Sequence, residues 1–296
     1  VATLLKNADS AMYQAKAHGR NNFQFFTAKM NQQAQERLEL ERDLRKALKE
    51  GEFMLHYQPQ VNVVSGKITG VEALIRWQHP VMGLISPAHF IPVAESSGLI
   101  VPIGKWVLKT ACNQIQQWNS RGYTSLCVAV NLSGRQFSQD GLLDTIKEAI
   151  KKSGINSANL ELEITESMMM ENTDETINIL NDIRSLGIKL SIDDFGTGYS
   201  SMAYLKRFPI NTLKIDQSFI RGLPEDTGDC AIVKATIAIA HALNLAVIAE
   251  GVETEGQLDF LKPLNCEEVQ GYYFSRPLMA EDISELLEKG NSTINH

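Results

Sequence analysis

The sequence predicts a closed (β/α)8 barrel with an irregular first strand, preceded by a helical connector, and three observations carry that expectation. Strand and amphipathic-helix signals alternate from Gly51 onward, which calls for a parallel sheet. About eight such units fit within roughly 240 residues, which suits closure better than an open sheet. Polar side chains recur at the ends of the strand segments, as expected where one barrel rim gathers functional groups.

The chain has 296 residues, 44% apolar and 21% charged, the composition of a globule with a sizeable core. A net charge of −7 argues against a protein gripping duplex nucleic acid through a basic face. It leaves room for a small anionic ligand held through metal ions. Cys112, Cys127, Cys230 and Cys266 are far apart and form no CxxC pair, so reduced thiols in a cytoplasmic setting are expected. No apolar run is long enough to span a bilayer, and the richest, Ala231 to Ala249, is broken by Lys234, His241 and Asn244. The sequence does not begin with Met and shows no signal peptide. It reads as a segment of a longer protein, whose parent has room for upstream sensor or membrane-anchoring domains.

Residues 1–29 read as a helix, Leu4 to His18, and a short aromatic strand, Phe23 to Phe26, too little to bury a core of their own. Residues 30–50 form a charged helix with Leu40, Leu44 and Leu48 on one stripe and a Glu41–Arg45 pair in the favourable order, as suits a connector. Residues 51–296 make the barrel. Its expected strands are Phe53–Gln58, Lys67–Trp77, Cys127–Asn131, Leu160–Thr165, Ile188–Asp193, Leu213–Asp216, Leu245–Glu250 and Glu267–Gln270. Helices are expected over Ile103–Asn119, Asp140–Lys152, Thr173–Ser185, Cys230–Leu243 and Glu255–Lys262. The first two strands lack a long helix between them, so the start of the barrel is expected to be irregular.

The strand ends deliver Glu72 with Arg76, Asn131, Glu163 with Glu166 just beyond, Asp193 with Asp194, Lys214 with Asp216, Glu250, and Gln270. Singly, each has an ordinary reading. Glu163 alternates with Glu161 and could face solvent, Lys214 could be an edge charge, and Glu250 could cap a helix starting near Thr254. Jointly, carboxylates and a lysine at one end of so many strands are hard to obtain from solvation alone. The set is oxygen-rich, and His56, His79, His89 and His241 lie elsewhere, which favours magnesium or manganese over zinc.

Two adjacent aspartates at a strand end can each address a different cation, and their repulsion calls for metal or a shared proton. The competing reading is an Asp-rich turn capping a helix near Tyr199. Paired divalent ions would suit displacement at phosphorus, with a lysine steadying the attacking water. The loop Gly196-Thr197-Gly198 lacks the lysine of a phosphate-cradling loop and reads as a hinge that could report site occupancy to a partner surface.

These residues resemble those of the EAL-domain cyclic-di-GMP phosphodiesterases, a family with a TIM-type barrel. Glu72-Ala73-Leu74 is the family signature, within Val71 to Trp77. Tyr57-Gln58-Pro59, Asn131-Leu132-Ser133, Glu163-Ile164-Thr165-Glu166, Asp193 to Gly198, Leu213 to Asp216, Glu250 to Glu253 and Gln270 to Phe274 match in order, over about residues 35–290. By that resemblance Glu72, Asn131, Glu163 and Asp193 would ligate a first metal, and Asp193 and Asp194 a second. Lys214 would assist the attacking water. Glu250 would anchor the water cluster of the second metal or act as base, with Gln270 in support. Glu166 would hold the loop 195–201 in its competent shape, and Gln58, Leu74, Arg76 and Glu253 would line the dinucleotide site.

The implied reaction opens one phosphodiester of cyclic-di-GMP to linear pGpG with two Mg²⁺ or Mn²⁺ per site, and Ca²⁺ would inhibit. The implied partners are cyclic-di-GMP and a second copy, docked through the surface near residues 195–201. Residues 1–29 resemble the closing helix and strand of a diguanylate cyclase GGDEF domain, without its catalytic portion. The alternative to an enzyme is a catalytically silent cyclic-di-GMP receptor, and a third reading is a barrel enzyme acting on another phosphorylated substrate.

Overall fold

The computed structural model describes residues 7, 8, 12, 23, 25–170, 173–197 and 205–289. Most of the helix expected over Leu4 to His18 and the end of the 195–201 loop lie outside them; of the strand expected over Phe23 to Phe26, residues 23, 25 and 26 are described and form no strand. The chain divides into two compact units, one over residues 1–53 and 77–100, the other over 54–76 and 101–296.

In the first unit, helix α1 (Ala28–Glu50) buries Leu44 of the expected stripe, leaves Leu40 and Leu48 half-buried, buries Ala47 beside them, and keeps the Arg45–Glu41 pair at 2.7 Å. Gly51 ends it in the left-handed conformation, its N–H returning to the Ala47 carbonyl. The unit also holds Phe53, where strand β1 (Phe53–Asn62) begins, and the last residues of β2 (Ile68–His79). It is completed by the short strand β3 (Gly83–Ile85) and helix α2 (Pro87–Ser97). Phe53, Trp77 and Phe90 stack as an aromatic cluster with centroids 5.7–5.9 Å apart. The Trp77 indole finds its polar partner in Glu52, 2.9 Å away. Neither β3 nor α2 was expected from the sequence. Pro87 sits at the first turn of α2, where a missing N–H costs nothing, and Pro92 lies inside the helix.

The second unit is an eight-stranded closed barrel. Helix α3 (Ile100–Ser120) precedes β4 (Cys127–Asn131), then come helices α4 (Gly134–Phe137) and α5 (Leu142–Ser153). Strand β5 (Leu160–Thr165) leads into α6 (Glu166–Met170) and α7 (Thr173–Ser185), then β6 (Lys189–Phe195) and β7 (Thr212–Ile215). After these come α8 (Gln217–Ile220), α9 (Thr227–Ala242), β8 (Ala246–Glu250), α10 (Glu255–Leu261), β9 (Glu268–Gln270) and α11 (Ala280–Glu288). Strands β2, β4, β5, β6, β7, β8 and β9 run parallel in that order, and β1 closes the ring between β9 and β2. The expected irregular start takes the form of β1 running antiparallel to β9. A connection of five residues, turning at Gly66 with φ +67°, is too short for the crossover that parallel strands require.

Helices face the barrel with apolar stripes at helical spacing: Ile103, Val107, Ala111, Ile115 and Trp118 on α3, and Leu142, Ile146 and Ala149 on α5. The Trp118 indole donates to Ser284 Oγ of α11 at 2.9 Å and its ring meets Tyr57 edge-on. Capping boxes at Ser133/Gln136 and Thr254/Gln257 start the helices that follow two rim loops. Val252 donates to the Gln270 carbonyl and accepts from Tyr273 N–H, so the loops after β8 and β9 are stitched together. At that crossing a Cβ on Gly271 would fall directly on the Val252 backbone. Gly271→Ala is therefore expected to destabilise the protein by at least about 2 kcal/mol, since backbone cannot give way as a side chain can; urea unfolding beside the wild type measures it.

Candidate active site

Neighbours in register on parallel strands point the same way, so the ladder decides which side chains enter the barrel. Asn131 lies opposite Glu163, Thr165 opposite Asp193, and Glu250 opposite Gln270. Glu72, Lys214 and these partners therefore project inward at the carboxyl ends of their strands. Glu163 does not face solvent: Glu161 and Glu163 are both buried, as are Leu160, Leu162 and Ile164 on the other face. The strand is covered on both sides, which is the rule for parallel barrels.

Adjacent residues of a regular strand would diverge, yet Asp193 and Asp194 act on one rim. Register slips between Ile192 and Phe195, and Asp194 takes φ +55°, an uncommon conformation for a residue other than glycine. In consequence Asp193, Asp194 and Glu250 each place an oxygen within 4.8 Å of the others. No other such carboxylate, histidine or cysteine group occurs among the described residues. Glu250 thus stands with the aspartate pair as a potential ligand, beyond the supporting role expected for it.

Lys214 is wholly buried and lies at the centre. Its Nζ is 2.7 Å from Glu250 Oε1, 2.9 Å from Glu163 Oε2, 3.2 Å from Asp193 Oδ1 and 3.7 Å from Glu72 Oε2. Asn131 Nδ2 donates to Glu72 Oε1 at 2.7 Å, and Gln270 Nε2 donates to the other Glu72 oxygen and, at 3.3 Å, to Gln58 Oε1. Just past the rim, Glu166 Oε2 accepts the Gly196 N–H at 2.9 Å, the contact expected of a residue holding that loop. The predicted set is thus brought together, with Lys214 rather than an open space between Glu72, Glu163 and Asp193.

The electrostatics follow from burial against partners. For Lys214, burial alone would favour the neutral amine, but the four carboxylates outweigh it and hold the ammonium well above the usual lysine range. Burial raises Glu163 well above the carboxylate range despite Lys214, with Glu72, Asp193 and Glu250 adding repulsion. Burial likewise lifts Glu250 to about 8 and Asp194 to about 6. Burial opposes ionisation at Glu72 too, yet Lys214 and the amides of Gln270 and Asn131 prevail and lower it. Glu72 and Glu163 are comparably enclosed; what separates them is that Glu163 Oε1 has no donor.

Five carboxylates share one ammonium, and a buried carboxylate oxygen lacks a partner. Hard divalent cations would satisfy both, so the residues present fit a magnesium- or manganese-type centre. Beside it opens a cleft of ≈ 280 Å³, lined by all four predicted contacts, Gln58, Leu74, Arg76 and Glu253. The cleft also includes Gln217, Tyr272 and Pro277, which sequence reasoning assigned no role. Tyr272, half-exposed with the Arg276 guanidinium 4.3 Å over its ring, sat in a quoted motif, and only its position at the mouth distinguishes it.

A family model described as EAL domain matches residues 41–277. Over 280 residues the chain is 49% identical to the bifunctional diguanylate cyclase/cyclic di-GMP phosphodiesterase MucR of Pseudomonas aeruginosa, covering 95% of this chain and 41% of that protein. Over 284 residues it is 46% identical to the cyclic di-GMP phosphodiesterase NbdA of the same species, covering 96% and 36%. The chain thus spans less than half the length of these curated relatives. The solved PaMucR phosphodiesterase–c-di-GMP complex superposes with a TM-score of 0.81 at 48% identity, covering 83% of this chain and 99% of that one.

A pH dependence follows for the chelator-treated protein. Glu250 and Asp194 bind their protons more tightly folded than unfolded, so they stabilise the fold at low pH and lose that contribution as pH rises towards about 8 and about 6 respectively. Glu72 has the opposite sign, but its window lies below the ordinary carboxylate value of 4.5. The unfolding temperature in EDTA is expected to fall between pH 5 and pH 8, and Mg²⁺ is expected to flatten the slope. Calorimetry across that range checks it, and a rising unfolding temperature would contradict the burial-driven shifts.

Proposed function

The chain belongs to the EAL-domain family, and on that premise we propose that it hydrolyses cyclic-di-GMP to linear pGpG. The observation that carries the reading is the intact rim: every expected ligand, Lys214 and the adjoining cleft occur together in one barrel mouth. Glu72, Asn131, Glu163 and Asp193 would hold one divalent ion, and Asp193 and Asp194, joined by Glu250, the other. When bound, such ions supply an activated water and neutralise charge on the phosphate.

The protein's own groups do the rest. Asn131 and Gln270 orient the Glu72 carboxylate through both its oxygens. Lys214 Nζ places positive charge where the attacking water and the phosphate oxygens meet and is kept protonated by its carboxylates. Glu250 takes the proton that the water gives up and passes it to the departing ribose oxygen as the phosphorus–oxygen bond breaks. Arg76, Gln58 and Glu253 meet the dinucleotide in the cleft, with Leu74 offering apolar contact. The same reading places the protein in the cytoplasm, downstream of sensory and GGDEF-type segments of a longer parent, and acting as a homodimer through the surface near residues 195–201. The hinge proposed there extends beyond the described residues.

Incubation with cyclic-di-GMP and Mg²⁺ or Mn²⁺ is expected to yield pGpG, with Ca²⁺ inhibiting because it tolerates looser coordination. Glu72→Ala is expected to lower turnover at least about a hundredfold by removing a ligand and the terminus of the amide chain. Chromatographic detection of pGpG reads both. Binding without product would select the silent receptor instead, and neither binding nor product would point to another phosphorylated substrate.

A further inference from the structure

Helix α8 follows directly on the strand that carries Lys214, and it touches the loops leaving both neighbouring carboxylate strands. Asp216 caps it, accepting the Ser218 N–H at 3.0 Å. Gln217 lies under Gly251, one residue after Glu250, so closely that a Cβ there would strike the Gln217 side chain. The Ile220 carbonyl accepts Gln257 Nε2 at 3.1 Å, and Gln257 Oε1 in turn accepts the Glu253 N–H at 2.7 Å. Both ends of α8 are thereby tied to the loop after Glu250. Phe219, between them, reaches the other loop: a Cβ on Gly196 would stand 2.9 Å from its Cε2.

Gly196 lies two residues beyond Asp194, holds φ +97°, and gives its N–H to Glu166. The turn that aims both aspartates is therefore gripped between a carboxylate on one side and an aromatic ring on the other. Within the turn itself, the described restraints are the Thr197 hydroxyl and N–H on the Asp194 carbonyl, at 2.8 Å and 3.3 Å. These bonds are local and do not fix the turn relative to Glu250.

We propose that Phe219 is a positioning residue: its ring sets the Gly196 turn against the loop after β8, and so sets the spacing between the aspartate pair and Glu250 on which divalent-cation affinity depends. The proposal rests on the metal-dependent reading of the site. Removing the ring leaves a glycine free to drift beside an empty space, and the aspartates drift with it.

The test is direct Mn²⁺ binding to chelator-treated protein, read from the electron paramagnetic resonance of free Mn²⁺, beside cyclic-di-GMP turnover as a function of Mn²⁺. Phe219→Ala is expected to weaken Mn²⁺ binding roughly tenfold or more, with KM for cyclic-di-GMP unchanged at saturating metal. Phe219→Met, which refills the space, is expected to restore binding. An effect that merely loosened the fold would lower the unfolding temperature and the active fraction without moving Mn²⁺ affinity, and unchanged affinity in Phe219→Ala overturns the proposal. Should that variant fail to fold, Gly196→Ala presses on the ring from the other side and is expected to weaken Mn²⁺ binding too; wild-type affinity there is equally fatal. A wild type that binds Mn²⁺ without producing pGpG would defeat the phosphodiesterase reading while leaving the Phe219 comparison decisive.

Discussion

One buried ammonium organises this barrel mouth. Lys214 enters a space closed to solvent, where an isolated charge would be expelled, and it is retained because four carboxylates converge on it. The carboxylates in turn tolerate burial because it is there. The compensation is incomplete, since negative groups outnumber the lysine and Glu163 keeps an oxygen without a donor. A cluster left in that condition has an appetite for cations, and the surrounding amides and loops serve to keep it from relaxing by rearrangement.

Those surroundings divide the labour by chemistry. Amides from Asn131 and Gln270 fix Glu72 through hydrogen bonds, whereas the aspartate turn is fixed by shape, with a left-handed backbone and close packing against glycine. Hydrogen bonds from neutral amides add no charge to a site already over-supplied with it. Steric contacts at the turn leave the aspartate oxygens unencumbered. Each amide takes one of the two lone pairs on a Glu72 oxygen and leaves the other for a cation, and the turn contacts take none from the aspartates.

Much of this was legible in the residues. Strands Cys127–Asn131 and Leu160–Thr165 have the limits that their apolar pattern implies, because each is short and bounded by polar or capping residues. The polar strand ends identified the rim, and Lys214, Glu163 and Asp193 meet there. Other features stayed hidden for physical reasons. Strand β1 continues to Asn62, past Gln58 where the expected strand ends, since a barrel interior accepts amides such as the buried Gln58 and Gln60, and Pro59 precedes the residues paired with β9. Glu161 and Glu163 alternate as a half-exposed strand would, but the alternation separates barrel lumen from helix layer, not solvent from core. The convergence of Asp194 with Asp193 depends on a register slip that no periodicity encodes. Phe219 received no role from the sequence because its partner is a glycine, which leaves no chemical signature.

The reversed first strand has a consequence for the order of assembly. The ring closes where Gln60 pairs with Gln270, and the amide contacts of Gln270 with Gln58 and Glu72 span 212 and 198 residues. Contacts so distant along the chain form late and slowly. A ribosome must release the chain as far as Gln270 before Glu72, among the earliest parts of the site to be made, meets the partner that aims it. A product truncated before Gln270 would carry Glu72 without the amide that holds one of its oxygens.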